Sequence, residues 1–341
     1  MLAVRQHPLE ALEAVLQPFA PERTVAQTAP WLQFLIETQQ ATPVLLELHT
    51  NGTPVGGFVG AVVRKLGFRI LGSPFAGWTT AYMGLCLAPS TDRVAALRAV
   101  LRHAYHELGV LHVELLDRHL STAAAQAAGF AFRTLGTYEI DLGLPEDEIF
   151  GGMTSACRTC VRKAEKSGVV IEEAAEHDRF TDLYCDMLND VFRGQGLAPT
   201  YNRTRVARLI ANLHPAGNLL LLLARNRDGH PIAAGIFPAG FGCMYLWGNA
   251  SYHAETHVRP NELLHWHALR HWKARGMARY DMGGGGEYKK KYGGKWIEVP
   301  WIMAPRYRGL LAARAAAQAG VRVIQRLRRA AGRAPGPAEG G

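Results

Sequence analysis

Apolar and polar positions follow the same succession twice along this chain. Leu45 to Val59 reads LLELHTNGTPVGGFV and Leu222 to Ile236 reads LLARNRDGHPIAAGI. Each is an apolar run, a Gly-x-Pro turn and a second apolar run, which predicts two strands joined by a tight turn. Gly52 matches Gly229 and Pro54 matches Pro231 at one offset of 177. Further on, LRHAYHELGVLHVEL from Leu101 is repeated as LRHWKARGMARYDM from Leu269, at an offset of 168. Both read as a helix closed by a glycine and followed by a short strand. Two matches in one order predict a tandem pair of similar domains.

In the first copy the pattern predicts a helix over Trp31 to Thr38, a meander of strands over Val44 to Leu71, a helix over Arg93 to Leu108 and a strand over His112 to Leu116. The second copy repeats the order. It has helices over Ser155 to Lys166, Arg179 to Phe192 and Arg203 to Asn212, strands within Leu219 to Gly248, a helix over Asn261 to Arg275 opened by Pro260, and a last strand over Arg279 to Met282. The expected class is mixed α/β, each domain a mostly antiparallel sheet flanked by helices. The expected boundaries are residues 1–145, residues 146–305, and a basic tail from 306 to 341.

A chain of 341 residues suits two cores of this size. Its longest apolar run, Leu219 to Ala224, is too short to cross a bilayer, and Glu10 and Glu13 interrupt any N-terminal apolar stretch. The expectation is a cytoplasmic protein. Five cysteines in so large a chain read as reduced thiols, and Cys157-x-x-Cys160 has no second ligand pair nearby, so no metal is expected. His253 with His257, and His267 with His271, match no zinc-protease motif. From Arg306 onward there are eight arginines and one acid, carrying +7 of the net +9. Leu310, Leu311, Val321, Ile324 and Leu327 interleave with these arginines at near-helical spacing. That segment suits a peripheral contact with anionic lipid at the inner membrane face, a nucleic-acid contact, or a docked helix with a solvated face.

The densest chemistry lies in Tyr280 to Gly294, YDMGGGGEYKKKYGG. Consecutive glycines let backbone N–H groups approach a ligand, and Lys289 to Lys291 can place an ammonium against developing negative charge. A solvated loop after a buried strand accounts for the same residues. The turn falls at the C-terminal end of the last predicted strand, where open α/β sheets bind ligands. Asp281 or Glu287 are candidate proton acceptors for an attacking amine, and Asp281 alternatively caps backbone groups at the strand end. Arg158, Arg162, Lys163 and Lys166 recur at spacings of three and four, one basic stripe on a helix that suits phosphates or plain solvent. Trp247, Asn249 and Asn261 are further pocket candidates, with core packing and capping as their ordinary roles.

Over most of its length, and most strongly from Thr154 to Trp301, the chain resembles the Fem family, two-domain aminoacyl transferases of the GNAT superfamily, and the related BioF-type acetyltransferase-like domain. The resemblance is carried by SACRTCVRKAEKSGV, WGNAS, RPNELLHW and DMGGGGEYKKKYGG. The last is similar to the family's aromatic-Lys-x-x-aromatic-Gly element, with tyrosine at both aromatic sites. The resemblance implies that Lys289 stabilises the oxyanion of acyl transfer, with Tyr288 before it, Tyr292 and Gly293 closing the motif, and Gly284 and Gly285 contributing to the site. It implies an acyl donor that is a substrate rather than a tightly bound cofactor, either aminoacyl-tRNA or acyl-coenzyme A. Coenzyme-A-dependent members carry a glycine-rich pyrophosphate loop before the long helix, whereas Asn249 to Pro260 contains no glycine, and Gly77 and Gly84 in the first copy are too far apart. This favours aminoacyl-tRNA and an amino-group acceptor, an envelope precursor such as a peptidoglycan intermediate or a small amine. An acetyl-coenzyme-A-dependent N-acetyltransferase and a catalytically silent envelope scaffold are the alternatives. The first copy has no matching glycine-lysine turn after Glu114, so one active site is expected.

Overall fold

The computed structural model describes residues 2–307 and 309, apart from 66, 195 and 200. The first half runs β1 (Ala3–His7), α1 (Leu12–Leu16), α2 (Ala29–Gln39), β2 (Thr42–Thr50), β3 (Thr53–Lys65), β4 (Phe68–Ser73), β5 (Gly84–Leu87), α3 (Arg93–His106), β6 (His112–Leu116), α4 (Thr122–Ala127) and β7 (Phe132–Asp141). The second half opens with α5 (Glu146–Gly152), α6 (Ser155–Lys166), β8 (Val170–Glu173), α7 (His177–Gly194) and α8 (Arg203–Leu213). It continues through β9 (Leu219–Arg225), β10 (Pro231–Gly240), β11 (Cys243–Tyr245), β12 (Gly248–Ser251), α9 (Pro260–Ala274), β13 (Arg279–Asp281) and β14 (Lys295–Pro305).

The duplication read in the sequence is present in the strand pairing. β2 and β3 form an antiparallel hairpin, and β3 also pairs with β4 and β5. β9, β10, β11 and β12 repeat that arrangement, β10 pairing with the other three. In each half the strand after the long helix returns parallel: β6 beside β4, and β13 beside β11. The first hairpin turns at Asn51 and Gly52, both with positive φ, a conformation that glycine adopts without strain. Asp92 caps α3 by accepting from the N–H groups of Val94 and Ala95, and Pro260 opens α9.

One pairing was not expected. The repeat pattern ends each half at its parallel strand, yet β7 and β14 follow, and each crosses to the other half. β14 lies between β6 and β7, and β7 lies between β14 and β13, all antiparallel. A single sheet therefore runs β1-β2-β3-β4-β6-β14-β7-β13-β11-β10-β9-β8 through the molecule. Two of the apolar clusters each centre on one half and take in the strand exchanged into it, Tyr138 and Ile140 of β7 in the second half and Ile302 and Ala304 of β14 in the first. The third joins Trp31 and Phe34 of α2 to Phe180, Tyr184 and Leu209 of α7 and α8. Arg205 of α8 reinforces this seam, donating to the Gly77 and Trp78 carbonyls.

Among the described residues no helix is long and apolar enough to cross a membrane. The helical pattern of the basic tail lies outside the described residues.

Candidate active site between the two halves

A cavity of about 530 Å³ opens at the seam, a volume typical of small-molecule sites, roughly 300–1,000 Å³. Trp31, Phe75, Tyr82 and Leu116 from the first half face Tyr245, Trp247, Asp281 and Lys289 from the second. Sheet topology accounts for the convergence. β13 and β11 end side by side, their register sets Tyr245 next to Asp281, and the exchanged strand β7 sets Glu139 on Asp281's other side.

Asp281 is 2% exposed and fully engaged. Its Oδ1 accepts from the Thr137 hydroxyl at 2.6 Å and the Gly283 N–H at 2.8 Å, and its Oδ2 accepts from the Tyr82 hydroxyl at 2.9 Å. Burial raises its pKa above the ordinary carboxylate value, opposed by those three hydrogen bonds. The carboxylate thus ties three segments together: the loop before β5, the exchanged strand β7, and the glycine turn.

The glycine turn is built around Lys289. Of the three successive lysines it alone is buried, at 7% exposure. Its ammonium donates to the carbonyls of Met282 at 2.7 Å, Gly284 at 3.2 Å, and Gly283. An ammonium has three protons, so these bonds use its whole capacity. Gly283 and Gly284 both have positive φ, which lets successive carbonyls fold over one cation. Lys291 turns away to pair with Glu262 at 2.6 Å. The turn closes at Gly293, φ +84, where a Cβ would lie 2.5 Å from the Gly152 carbonyl oxygen. Tyr292 is buried in the second-half core with its ring 4.7 Å from that of His265. His265, whose Nδ1 lies 2.7 Å from the Tyr280 hydroxyl, is held neutral by burial, its pKa pushed down to about 3.

Desolvation lowers the Lys289 pKa to about 8, with the Asp281 carboxylate pulling in the opposite direction. Lys289 is therefore charged at pH 7 and loses its proton within the alkaline range of ordinary assays. The acyl-transfer rate is expected to fall as pH rises through about 8, and Lys289→Arg should move that limb beyond the measurable range; a pH–rate profile for both proteins checks this. The stability slope has the opposite sign. Between about 8 and the free-lysine value of 10.5 the unfolded chain binds the proton that the folded chain has released, so this group adds stability as pH rises across that window.

The other sequence candidates are distributed unevenly. Tyr288, Trp247, Asn249 and Gly284 line the cavity. Asn261 stands behind Asn249, accepting its amide N–H at 3.2 Å and donating to Ser251 at 2.9 Å. Gly285 lies under Trp296, which a Cβ would meet at 2.8 Å. Arg158, Arg162, Lys163 and Lys166 are on α6, outside the cavity wall. Arg158 donates to the Gly151 and Met153 carbonyls at the end of α5, while Arg162, Lys163 and Lys166 are exposed. α6 starts beside the lysine turn, where the Thr154 N–H donates to the Lys291 carbonyl at 2.9 Å. Among the described residues no group of three or more His, Cys, Asp or Glu is placed to hold a metal ion.

Sequence reasoning missed Tyr82, Thr137, Tyr245 and Trp301. For Tyr245 a signal existed, because Tyr245 and Trp247 are two apart beside a strand end and share a face. Tyr82 is 199 residues from the carboxylate it serves, with no local pattern to mark it.

Residues 153–291 match the acetyltransferase (GNAT) domain family. No curated protein matches the sequence. Among solved structures the chain is similar to FemX, at 14% identity over 88% of this chain and 97% of that one, with a TM-score of 0.69. It is also similar to L-PGS from Bacillus licheniformis, at 13% identity over 91% and 95% of the two chains, TM-score 0.54. A tandem GNAT protein from the clavulanic acid biosynthesis pathway matches at 12% identity over 89% and 97%, TM-score 0.52. The chain has the tandem GNAT fold of these structures, with the family match lying in the half that carries Asp281 and Lys289.

Proposed function

We propose that this protein forms an amide by moving an aminoacyl group from aminoacyl-tRNA to an amino group of an envelope precursor, in the cavity between its halves. The observation that carries the reading is the glycine turn folded around Lys289, standing in the wall of a cavity that both halves enclose. In the reaction the neutral amine attacks the ester carbonyl, a C–N bond forms, the C–O bond to the ribose breaks, and the amine proton passes to the departing oxygen or to solvent. Negative charge collects on the carbonyl oxygen in between. The Lys289 ammonium brings a positive charge into that wall, and because its protons are held by the carbonyls of the turn it acts on the developing charge through space.

The donor assignment draws on the segment between β12 and α9. Three of its N–H groups are already occupied: His253 N–H donates to the Asp190 carboxylate at 2.8 Å, Glu255 N–H to the Tyr252 carbonyl, and Arg259 N–H to the Thr256 carbonyl. A carboxylate seated there opposes a pyrophosphate. In the first half Asp92 occupies the equivalent helix start. The exposed cations Arg162, Lys163 and Lys166, on the helix whose start adjoins the lysine turn, are suited to RNA phosphates. The acetyl-coenzyme-A reading has the family match in its favour. Calorimetric titration separates the two: charged tRNA is expected to bind with a steep salt dependence and acetyl-coenzyme A to give no heat. Saturable acetyl-coenzyme A binding, with no tRNA binding, would overturn the donor assignment.

A further inference from the structure

The hairpin of β3 and β4 carries Arg64 and Lys65 before its turn and Phe68 and Arg69 after it, and turns through Gly67 at φ +81. Arg64 and Arg69 are direct partners across the two strands, so their side chains leave on one face together. Like charges set opposite each other repel, and among the described residues no acid pairs with either. They stand instead in the wall of a hollow of about 330 Å³, beside Gln39, Gln40 and Thr42, residue types whose side chains also donate hydrogen bonds. Lys65 and Phe68 are paired on the opposite face of the hairpin, and the Phe68 ring is 56% exposed.

This patch continues onto the end of β14. Leu111 N–H donates to the Arg69 carbonyl and Arg306 N–H to the Leu111 carbonyl, both at 2.9 Å. Arg69 and Arg306 are therefore two strand spacings apart, about 10 Å. Tyr307 follows, 58% exposed, with the Arg306 guanidinium 5.6 Å from its ring. The segments that meet here, residues 39–42, 62–70, 109–113 and 303–307, hold Arg64, Lys65, Arg69 and Arg306 and no Asp or Glu. From this edge the chain runs on from 308 to 341, with seven more arginines among Leu310, Leu311, Val321, Ile324 and Leu327.

We propose that this edge docks on an anionic phospholipid surface, with Arg64 and Arg69 receiving lipid phosphates and Phe68 entering the boundary between headgroups and acyl chains. Each lysine or arginine near an anionic bilayer adds attraction, and aromatic rings are favourably placed at that depth. The two exposed rings and the apolar residues of the tail favour lipid over nucleic acid, whose backbone offers phosphates but no apolar layer to receive them. Lys65 Nζ lies 5.9 Å from the ring of Phe75, which is part of the cavity wall, so a docked hairpin brings that wall near the bilayer.

The inference does not use the proposed reaction, and vesicle binding tests it with neither donor nor acceptor present. The full chain is mixed with vesicles of equal parts phosphatidylglycerol and phosphatidylcholine, or of phosphatidylcholine alone, and the bound fraction is measured by flotation. Binding is expected with the anionic vesicles only, weakening as salt rises. Arg64→Gln combined with Arg69→Gln should weaken it by about twenty-five-fold, about fivefold for each cation, and Phe68→Ser by about tenfold. Because the double substitution also relieves the repulsion across the hairpin, its melting temperature without lipid should equal or exceed that of the parent. Phe68→Ser carries the test alone if the double variant fails to fold. Equal binding by parent and variants would assign the attachment to the tail and overturn the proposal, as would equal binding to both kinds of vesicle. Failure of the parent to float with anionic vesicles would also overturn it, and tRNA binding that the variants lose would then make this edge a nucleic-acid surface.

Discussion

Replacing Lys289 by methionine is expected to cut acyl transfer by about a hundredfold or more while leaving the protein folded, a loss comparable to removing a main electrostatic contributor to an oxyanion site. Two effects compete in the stability of this variant. The ammonium holds three carbonyls, and hydrogen bonds to a charged group contribute about 1.5–3 kcal/mol each when buried. Against this, the fall of the Lys289 pKa to about 8 corresponds to a burial cost of about 3 kcal/mol for the charged form at neutral pH. Gly283 is exposed and Gly284 half-buried, so water can reach their carbonyls once the lysine is gone, which leaves the Met282 carbonyl as the main loss. The opposing contributions nearly cancel, and the melting temperature is expected to move by no more than about 4 °C. Thermal unfolding and initial-rate measurements on the same preparation check both halves of this expectation. A folded Lys289→Met protein with full activity would remove Lys289 from the mechanism.

Asp281→Ala is expected to lower the melting temperature by about 6–12 °C, because the substitution leaves the Tyr82 and Thr137 hydroxyls and the Gly283 N–H without their shared acceptor, about 3 kcal/mol in all. Activity should be lost with it, since the same carboxylate fixes the turn that Lys289 completes. Asp281→Asn is the informative comparison. Its side-chain oxygen still accepts from Thr137 and Gly283, and the Tyr82 hydroxyl can rotate to accept from the new amide. If Asp281 positions the turn, as its three bonds indicate, the Asn variant keeps transfer within about tenfold of the parent. A drop of about 10²–10⁴ in a folded Asn variant would instead make Asp281 the proton acceptor, the magnitude expected of a general base.

Much of this architecture is legible because it is local. The Gly-x-Pro turns, Pro260 ahead of α9 and the glycine after each long helix act over a few residues, and the structure places elements there. The exchange of β7 and β14 was not legible, because a strand's partners are chosen by surfaces far away in sequence. Val299, buried in β14, pairs with Leu135, and no spacing rule joins them. The site divides in the same way. The glycine-lysine turn and Trp247 stand out in the sequence, whereas Tyr82, Thr137 and Trp301 acquire their meaning only when the two halves meet. Tyr292 belongs to the motif in sequence and to the core in space, supporting the turn from beneath.

The central claim is tested most directly by transfer itself. Radiolabel is supplied separately on charged tRNA and on acetyl-coenzyme A, and its appearance on peptidoglycan precursors is followed with and without ribonuclease, using the parent protein and Lys289→Met. The account predicts label from charged tRNA only, abolished by ribonuclease and nearly absent with Lys289→Met. Ribonuclease-resistant label from acetyl-coenzyme A, or equal labelling by the two proteins, would contradict it.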